Sequence, residues 1–251
     1  MGLKKKFRRF IADYNYKKKI SELEIENKSI LITGTNSGIG LELVKILSKK
    51  NKVYSVFRED SHNLEKIKNK NIVPIKCDFN LSSDFKKLEE FLISSNLDIL
   101  INNAGTFGSI DQQNLKSINF KEFYKVMETN VMAPLKIIQT LTNKSNITLS
   151  QIVNISTDMA SISNNTSGGY YIYRTTKNAI NAVTKNLSID LKEYNINVYA
   201  IHPGNIKTKI NPGGSIEPEI CAKKLINFIE KNDSNYNGAF VDLSNLKIIS
   251  W

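Results

Sequence analysis

Seven short apolar runs punctuate the chain, at residues 29–33, 52–57, 72–76, 97–101, 150–155, 196–201 and 238–242. Between them the apolar residues recur at helical spacing, over 39–50, 61–68, 82–95, 119–142, 172–193 and 218–231. A short run that is apolar at nearly every position suits a strand buried on both faces, and the spaced stretches suit amphipathic helices. Strand and helix in alternation predict βαβ units and a parallel sheet. Ligands of such sheets bind beyond the carboxyl ends of the strands. The polar residues with useful chemistry collect there: Thr33 to Gly40 after the first run, Arg58 after the second, Asp78 after the third, Asn102 to Gly105 after the fourth, Thr157 after the fifth, and His202 to Thr208 after the sixth.

The stretch Thr33-Gly34-Thr35-Asn36-Ser37-Gly38-Ile39-Gly40 joins a strand-like run to a helix-like one. Gly34 would let the chain turn off the strand, Gly38 would let a pyrophosphate approach the backbone, and Gly40 would let the helix pack closely on the sheet. N–H groups at the helix start would then face the anion. Far downstream, Tyr173 and Lys177 stand four apart on one expected helix face. A cation beside a phenol favours the phenolate and lowers a pKa that is ordinarily near ~10. Such a pair can serve as a general acid for a carbonyl group, and beside a nucleotide-binding turn it points to redox chemistry. Tyr170 and Arg174 form a competing phenol–cation pair at the same spacing.

Thr33-Gly34-x-x-x-Gly38-Ile39-Gly40, Asn102-Asn103-Ala104-Gly105, Asn130, Ile152-Val153-Asn154-Ile155-Ser156-Thr157, Tyr173-x-x-x-Lys177 and Pro203-Gly204 together resemble the successive signatures of the short-chain dehydrogenase/reductase family. Gly168-Gly169-Tyr170-Tyr171-Ile172-Tyr173 and Asn237-Gly238-Ala239-Phe240-Val241 are most similar to the C-factor and sniffer type of carbonyl reductase. The resemblance implies an α/β fold: a doubly wound (Rossmann) parallel sheet of about seven strands with helices on both faces. It would occupy residues 28–251 as a single domain, preceded by a basic extension at 1–27.

The resemblance also implies roles. Tyr173 would give or take the proton, Lys177 would hold the nicotinamide ribose and depress the tyrosine pKa, and Asn130 would fix a water linking Lys177 to solvent. Thr157 falls where the family usually has serine and keeps a hydroxyl for the substrate oxygen. Its methyl narrows the site, and Ser161, twelve residues before Tyr173, stays a rival for the role. The expected dinucleotide contacts are Gly34, Asn36, Ser37, Gly38, Ile39, Gly40, Arg58, Asp78, Asn103, Ala104 and Gly105, then Tyr173, Lys177, Pro203, Gly204, Ile206 and Thr208. Phe57 stands where NAD-preferring members usually carry Asp, and Arg58 follows it, so NADP(H) is the expected cofactor. Glu59 and Asp60 keep NAD(H) open, because a shift of one or two residues would bring an acid into that place. The implied activity is hydride transfer between nicotinamide and a carbonyl or alcohol carbon. A nucleotide-binding signalling or scaffold protein with little turnover is the alternative.

A chain of 251 residues with 41% hydrophobic content can bury one large core. Cys77 and Cys221 lie far apart and nothing reads as a cleavable signal, so a cytoplasmic protein with reduced thiols is expected. With two histidines and no clustered ligands, no metal site is expected. The formal charge is +11, and residues 1–19 hold eight Lys/Arg against Asp13 alone, leaving +4 for the rest. Leu3, Phe7, Phe10, Ile11 and Tyr14 fall at helical spacing within that segment. It reads as a helix on an anionic membrane surface, a frayed arm, or a helix packed on its own domain or a second subunit. Specific nucleic-acid binding is not expected, since no recognition fold accompanies the charge. Relatives pair through the helices corresponding to 119–142 and 172–193, so a homo-oligomer is an open expectation. The segment from Lys209 to Ser215 is short, which implies an open site.

Overall fold

The computed structural model describes residues 25–59 and 62–251; the basic segment 1–19 and Asp60 lie outside them. The strands are β1 (Ser29–Thr33), β2 (Lys52–Phe57), β3 (Ile72–Lys76), β4 (Ile99–Asn102), β5 (Gln151–Ile155), β6 (Asn197–His202), β7 (Phe240–Asp242) and β8 (Lys247–Ile248). They form one sheet in the order β3-β2-β1-β4-β5-β6-β7-β8, parallel throughout except for the last pair. The helices are α1 (Gly38–Leu47), α2 (His62–Glu65), α3 (Ser82–Ser94), α4 (Phe120–Met127), α5 (Ala133–Thr142), α6 (Tyr171–Asp190) and α7 (Pro218–Lys231).

Side chains alternate across each strand, so one apolar run feeds two cores. Ile30 and Ile32 of β1 pack with Leu43 and Leu47 of α1 and Leu225 of α7. Leu31, between them, packs on the opposite face with Leu88 and Leu92 of α3 and Ile137 and Ile138 of α5. Chain order reverses about β1, whose neighbours are β2 and β4, and that leaves a crevice at their carboxyl ends.

The structure adds to one expectation and corrects another. The seven parallel strands are as expected, and among the described residues an eighth, β8, is added at the edge. Asp242 Oδ1 accepts from Ser244 N–H at 2.8 Å, Leu246 takes a φ of 60°, and the chain doubles back to place β8 antiparallel to β7. Two residues carry no readable alternation. The helix expected over 119–142 is broken into α4 and α5 by a turn of π-helix at Glu128–Met132. Asn130 sits in that turn, and π-turns concentrate where a helix must present a side chain off its regular path.

Candidate active site

All the elements that bear the expected site residues open onto one cleft of about 780 Å³. Gly34 turns the chain off β1 with a φ of +72°, and a Cβ there would come within 2.6 Å of Ala104 Cα. A Cβ on Gly40 would meet Gly34 O at 2.3 Å, so this glycine lets α1 close on the turn itself. What faces Gly38 is the Thr208 methyl, 3.3 Å from an ideal Cβ. Asn103 fastens the turn to β4, donating through Nδ2 to Thr33 O at 2.9 Å and Gly34 O at 3.0 Å. Ser37 makes no side-chain cap and the first turn of α1 holds no acid, so its N–H groups are left for an anion.

The residues present fit a dinucleotide. Asn36 Oδ1 is buried without a hydrogen-bond partner among the described residues, although Asn36 Nδ2 donates to Glu59 O at 3.1 Å. An unpaired buried carbonyl beside uncapped N–H groups is a polar site waiting for a ligand. Arg58 lines the cleft at the end of β2, its guanidinium 2.6 Å from the Glu59 carboxylate and exposed. Asp78, Ala104, Gly105, Pro203, Gly204, Ile206 and Thr208 line the same cleft. Gly38, Gly40 and Asn130 are not among its lining residues.

At the other side α6 brings up Tyr173 and Lys177. Lys177 is buried and donates to Ile155 O at 2.8 Å. An ideal Cβ on Gly105 would lie 3.2 Å from Lys177 Nζ and 3.6 Å from Asn130 Oδ1, so both polar atoms face one small space that any side chain would fill. Asn130 also clamps Thr106, accepting from its N–H at 2.8 Å and donating to its C=O at 3.0 Å. Burial lowers Lys177 to about 8. The expectation that Lys177 depresses Tyr173 is corrected: burial first, and then the Asp158 carboxylate, push the phenol up to about 12. Both oppose the phenolate, and Lys177 is turned to Ile155 O.

Thr157 lines the cleft and Ser161 does not. Ser161 is buried and donates to Ser250 O at 2.6 Å. Ser156 also turns inward, to Asn181 Oδ1 at 2.6 Å. Thr157 Oγ1 accepts from Met159 N–H at 3.3 Å and donates to Asp158 Oδ1 at 3.0 Å. Tyr170 lies at the cleft as well, but as the left-handed residue before α6, with a φ of 49°. Its partner Arg174 is spent on Met159 O and Ser167 Oγ, both at 2.9 Å. Tyr170 and Tyr173 flank Phe107, with ring centroids 5.4 and 4.4 Å away.

Three neighbours of the site are absent from the sequence reading. Phe107 stacks on Tyr173 from the loop after β4. Gln113, fully buried, accepts from Tyr173 N–H at 2.9 Å and donates to Phe107 O at 2.7 Å. A lone glutamine in a polar stretch gives no signal of this. Asp158 could have been noticed as an acid three residues past a strand end. The loop after β6 is compact: Lys207 N–H donates to Ile216 O and Ser215 N–H to Asn205 O, both at 2.9 Å.

Residues 28–215 match the family model of the short chain dehydrogenases. The C-signal of Myxococcus xanthus is 25% identical over 154 residues, covering 61% of this chain and 92% of that one. Among solved structures, the carbonyl reductase Sniffer of D. melanogaster is similar at a TM-score of 0.77 and 28% identity, covering 90% of this chain and 100% of that one. The NADPH-bound carbonyl reductase from chicken fatty liver is similar at 0.75 and 26%, with 90% and 100% covered.

Proposed function

Since the chain belongs to the short-chain dehydrogenase/reductase family, we propose that it is an NADP(H)-dependent carbonyl reductase in which Tyr173 exchanges the proton on the substrate oxygen. The observation that carries this reading is the meeting, on one cleft, of the glycine-rich turn with a half-buried phenol and a threonine hydroxyl. When bound, the reduced dinucleotide supplies the hydride. Uncapped N–H groups of α1 would take the pyrophosphate, Asn36 Oδ1 would find a donor, and Arg58 would hold the 2′-phosphate. The similarity to an NADPH-bound carbonyl reductase supports that cofactor.

In reduction the charge grows on the carbonyl oxygen. Tyr173, held protonated by its burial, donates to that oxygen, and a developing alkoxide is the stronger base. Thr157 can turn its hydroxyl from Asp158 to the same oxygen, because a hydroxyl rotor has one proton to place. Lys177 keeps a positive charge under the site below about pH 8 and so offsets the phenolate left behind. Phe107, Met159 and Tyr170 give the cleft neutral, partly apolar walls against which a substrate's carbon skeleton would lie.

A panel of aldehydes and ketones assayed for NADPH consumption tests the reading, with the expectation that several are reduced. The hydrogen bond that already engages Thr157 favours the other reading, a nucleotide-binding signalling or scaffold protein of the same fold. Tight cofactor binding without turnover of any panel member would bear that one out instead.

A further inference from the structure

Next to Thr157 the cleft carries a fixed negative charge that proton transfer itself does not use. Asp158 opens a turn of 3-10 helix at Asp158–Ala160, and its backbone is held on both sides. Its N–H donates to His202 Nδ1 at 3.1 Å, and its C=O accepts from Ser161 N–H at 3.0 Å. Its carboxylate takes the Thr157 hydroxyl at 3.0 Å. The side chain is nonetheless 65% exposed and lines the same cleft as Tyr173. His202 Nδ1 lies 3.9 Å from the carboxylate, but accepting the Asp158 N–H requires that nitrogen to be bare, and burial holds the imidazole below its ordinary pKa. Among the described residues no lysine or arginine nitrogen comes within 4.0 Å of the carboxylate.

The other charges on the cleft are otherwise placed. Lys177 is turned to Ile155 O, Arg58 is paired with Glu59 at the end of β2, Asp78 stands after β3 and accepts from Asn80 N–H, and Lys209 lines the cleft from the loop after β6. Around the phenol the remaining walls, Phe107, Met159 and Tyr170, are uncharged side chains. A substrate whose carbonyl reaches Tyr173 and Thr157 would have the Asp158 carboxylate, which already holds the Thr157 hydroxyl, as the nearest charge to its adjacent substituents on that side. Resting on the carbonyl-reductase reading above, we propose that Asp158 is a specificity-determining residue, selecting carbonyl compounds that are neutral or cationic near the reacting carbon and rejecting those that bear a carboxylate or phosphate there. Specificity of this kind comes from a repulsive element as much as from attractive contacts.

Three para-substituted benzaldehydes, neutral, carboxylate-bearing and trimethylammonium-bearing, test this at saturating NADPH on the wild type and on Asp158→Asn, which keeps an acceptor oxygen for Thr157. For like charges a few ångströms apart in a half-wet cleft, the wild-type kcat/KM for the carboxylate should fall about tenfold or more below that for the neutral aldehyde. Asp158→Asn should close most of that gap and lower the relative rate of the cationic aldehyde. On the wild type alone, raising salt from about 0.05 to about 0.5 M should narrow the discrimination by screening. A carboxylate-to-neutral ratio moved by neither the substitution nor the salt would overturn the assignment of Asp158. Failure of the wild type to reduce any of the three would instead overturn the carbonyl-reductase reading on which it rests.

Discussion

Tyr173 and Lys177 are both shifted against their charged forms, and burial is the main cause at each. For reduction that suits the phenol, which must arrive protonated. It also sets the sign of the pH dependence. Below about pH 8 both groups hold their protons; above it the lysine ammonium is lost first. The kcat/KM for reduction, which reports the free enzyme, should therefore be level through neutral pH and fall above about 8, whereas oxidation, which needs the phenolate, should rise over the same range. A pH–rate profile in each direction checks this, and a reduction rate that climbs with pH would contradict it. Arg58 poses a second question at this scale, because its guanidinium is already held by Glu59 at 2.6 Å. Losing one charge-assisted contact is worth roughly 1.5–3 kcal/mol, so Arg58→Ala should weaken NADPH about 10-fold or more and leave NADH nearly unchanged. Glu59→Gln should tighten NADPH. Fluorescence titration of both coenzymes measures the two effects.

The elements that carry these residues were legible to different degrees. β1 and α1 were plain, because an apolar run, a glycine turn and a helical period follow one another without interruption. Gly34 turns the chain off β1 at a positive φ, as expected, and its close contact with Ala104 is a further need the spacing does not show. Gly40 packs on the turn rather than on the sheet, a distinction no spacing contains. The π-turn around Asn130 was invisible, since one extra residue in a helix barely disturbs the apolar period. The start of α6 was legible to within one residue, but what caps it was not. Tyr170 supplies no side-chain cap there, and Gln113, sixty residues earlier, takes the Tyr173 N–H instead. Gln113→Leu leaves that N–H and Phe107 O, both part-buried, without these partners, at about 1 kcal/mol each. We expect a lower melting temperature and, because Phe107 and Tyr173 lose their common support, a kcat reduced about tenfold, with NADPH affinity kept. Gln113→Glu keeps the acceptor for Tyr173 and should recover part of the rate. Wild-type kcat in Gln113→Leu would show that the cap is structural alone.

For the molecule as a whole, the strand ends gave the location of the site and little of its interior. Order along the sheet follows from right-handed βαβ connections, so residues after β1, β2, β4, β5 and β6 had to share one edge. What the edge encloses depends on side chains met only through folding: Phe107 between two tyrosines, Ser161 turned to Ser250, Asp158 turned to Thr157. No helix of the described residues is long and apolar enough to cross a membrane. The family and the cleft agree on a redox site, and the whole account then rests on which phenol moves the proton. Tyr173→Phe and Tyr170→Phe, compared in one reductase assay with NADPH affinity measured alongside, decide it most directly. Tyr173→Phe should bind NADPH as the wild type does and lose at least about 100-fold in kcat, the usual worth of a general acid, while Tyr170→Phe keeps most of its rate. Full activity in Tyr173→Phe would contradict the account.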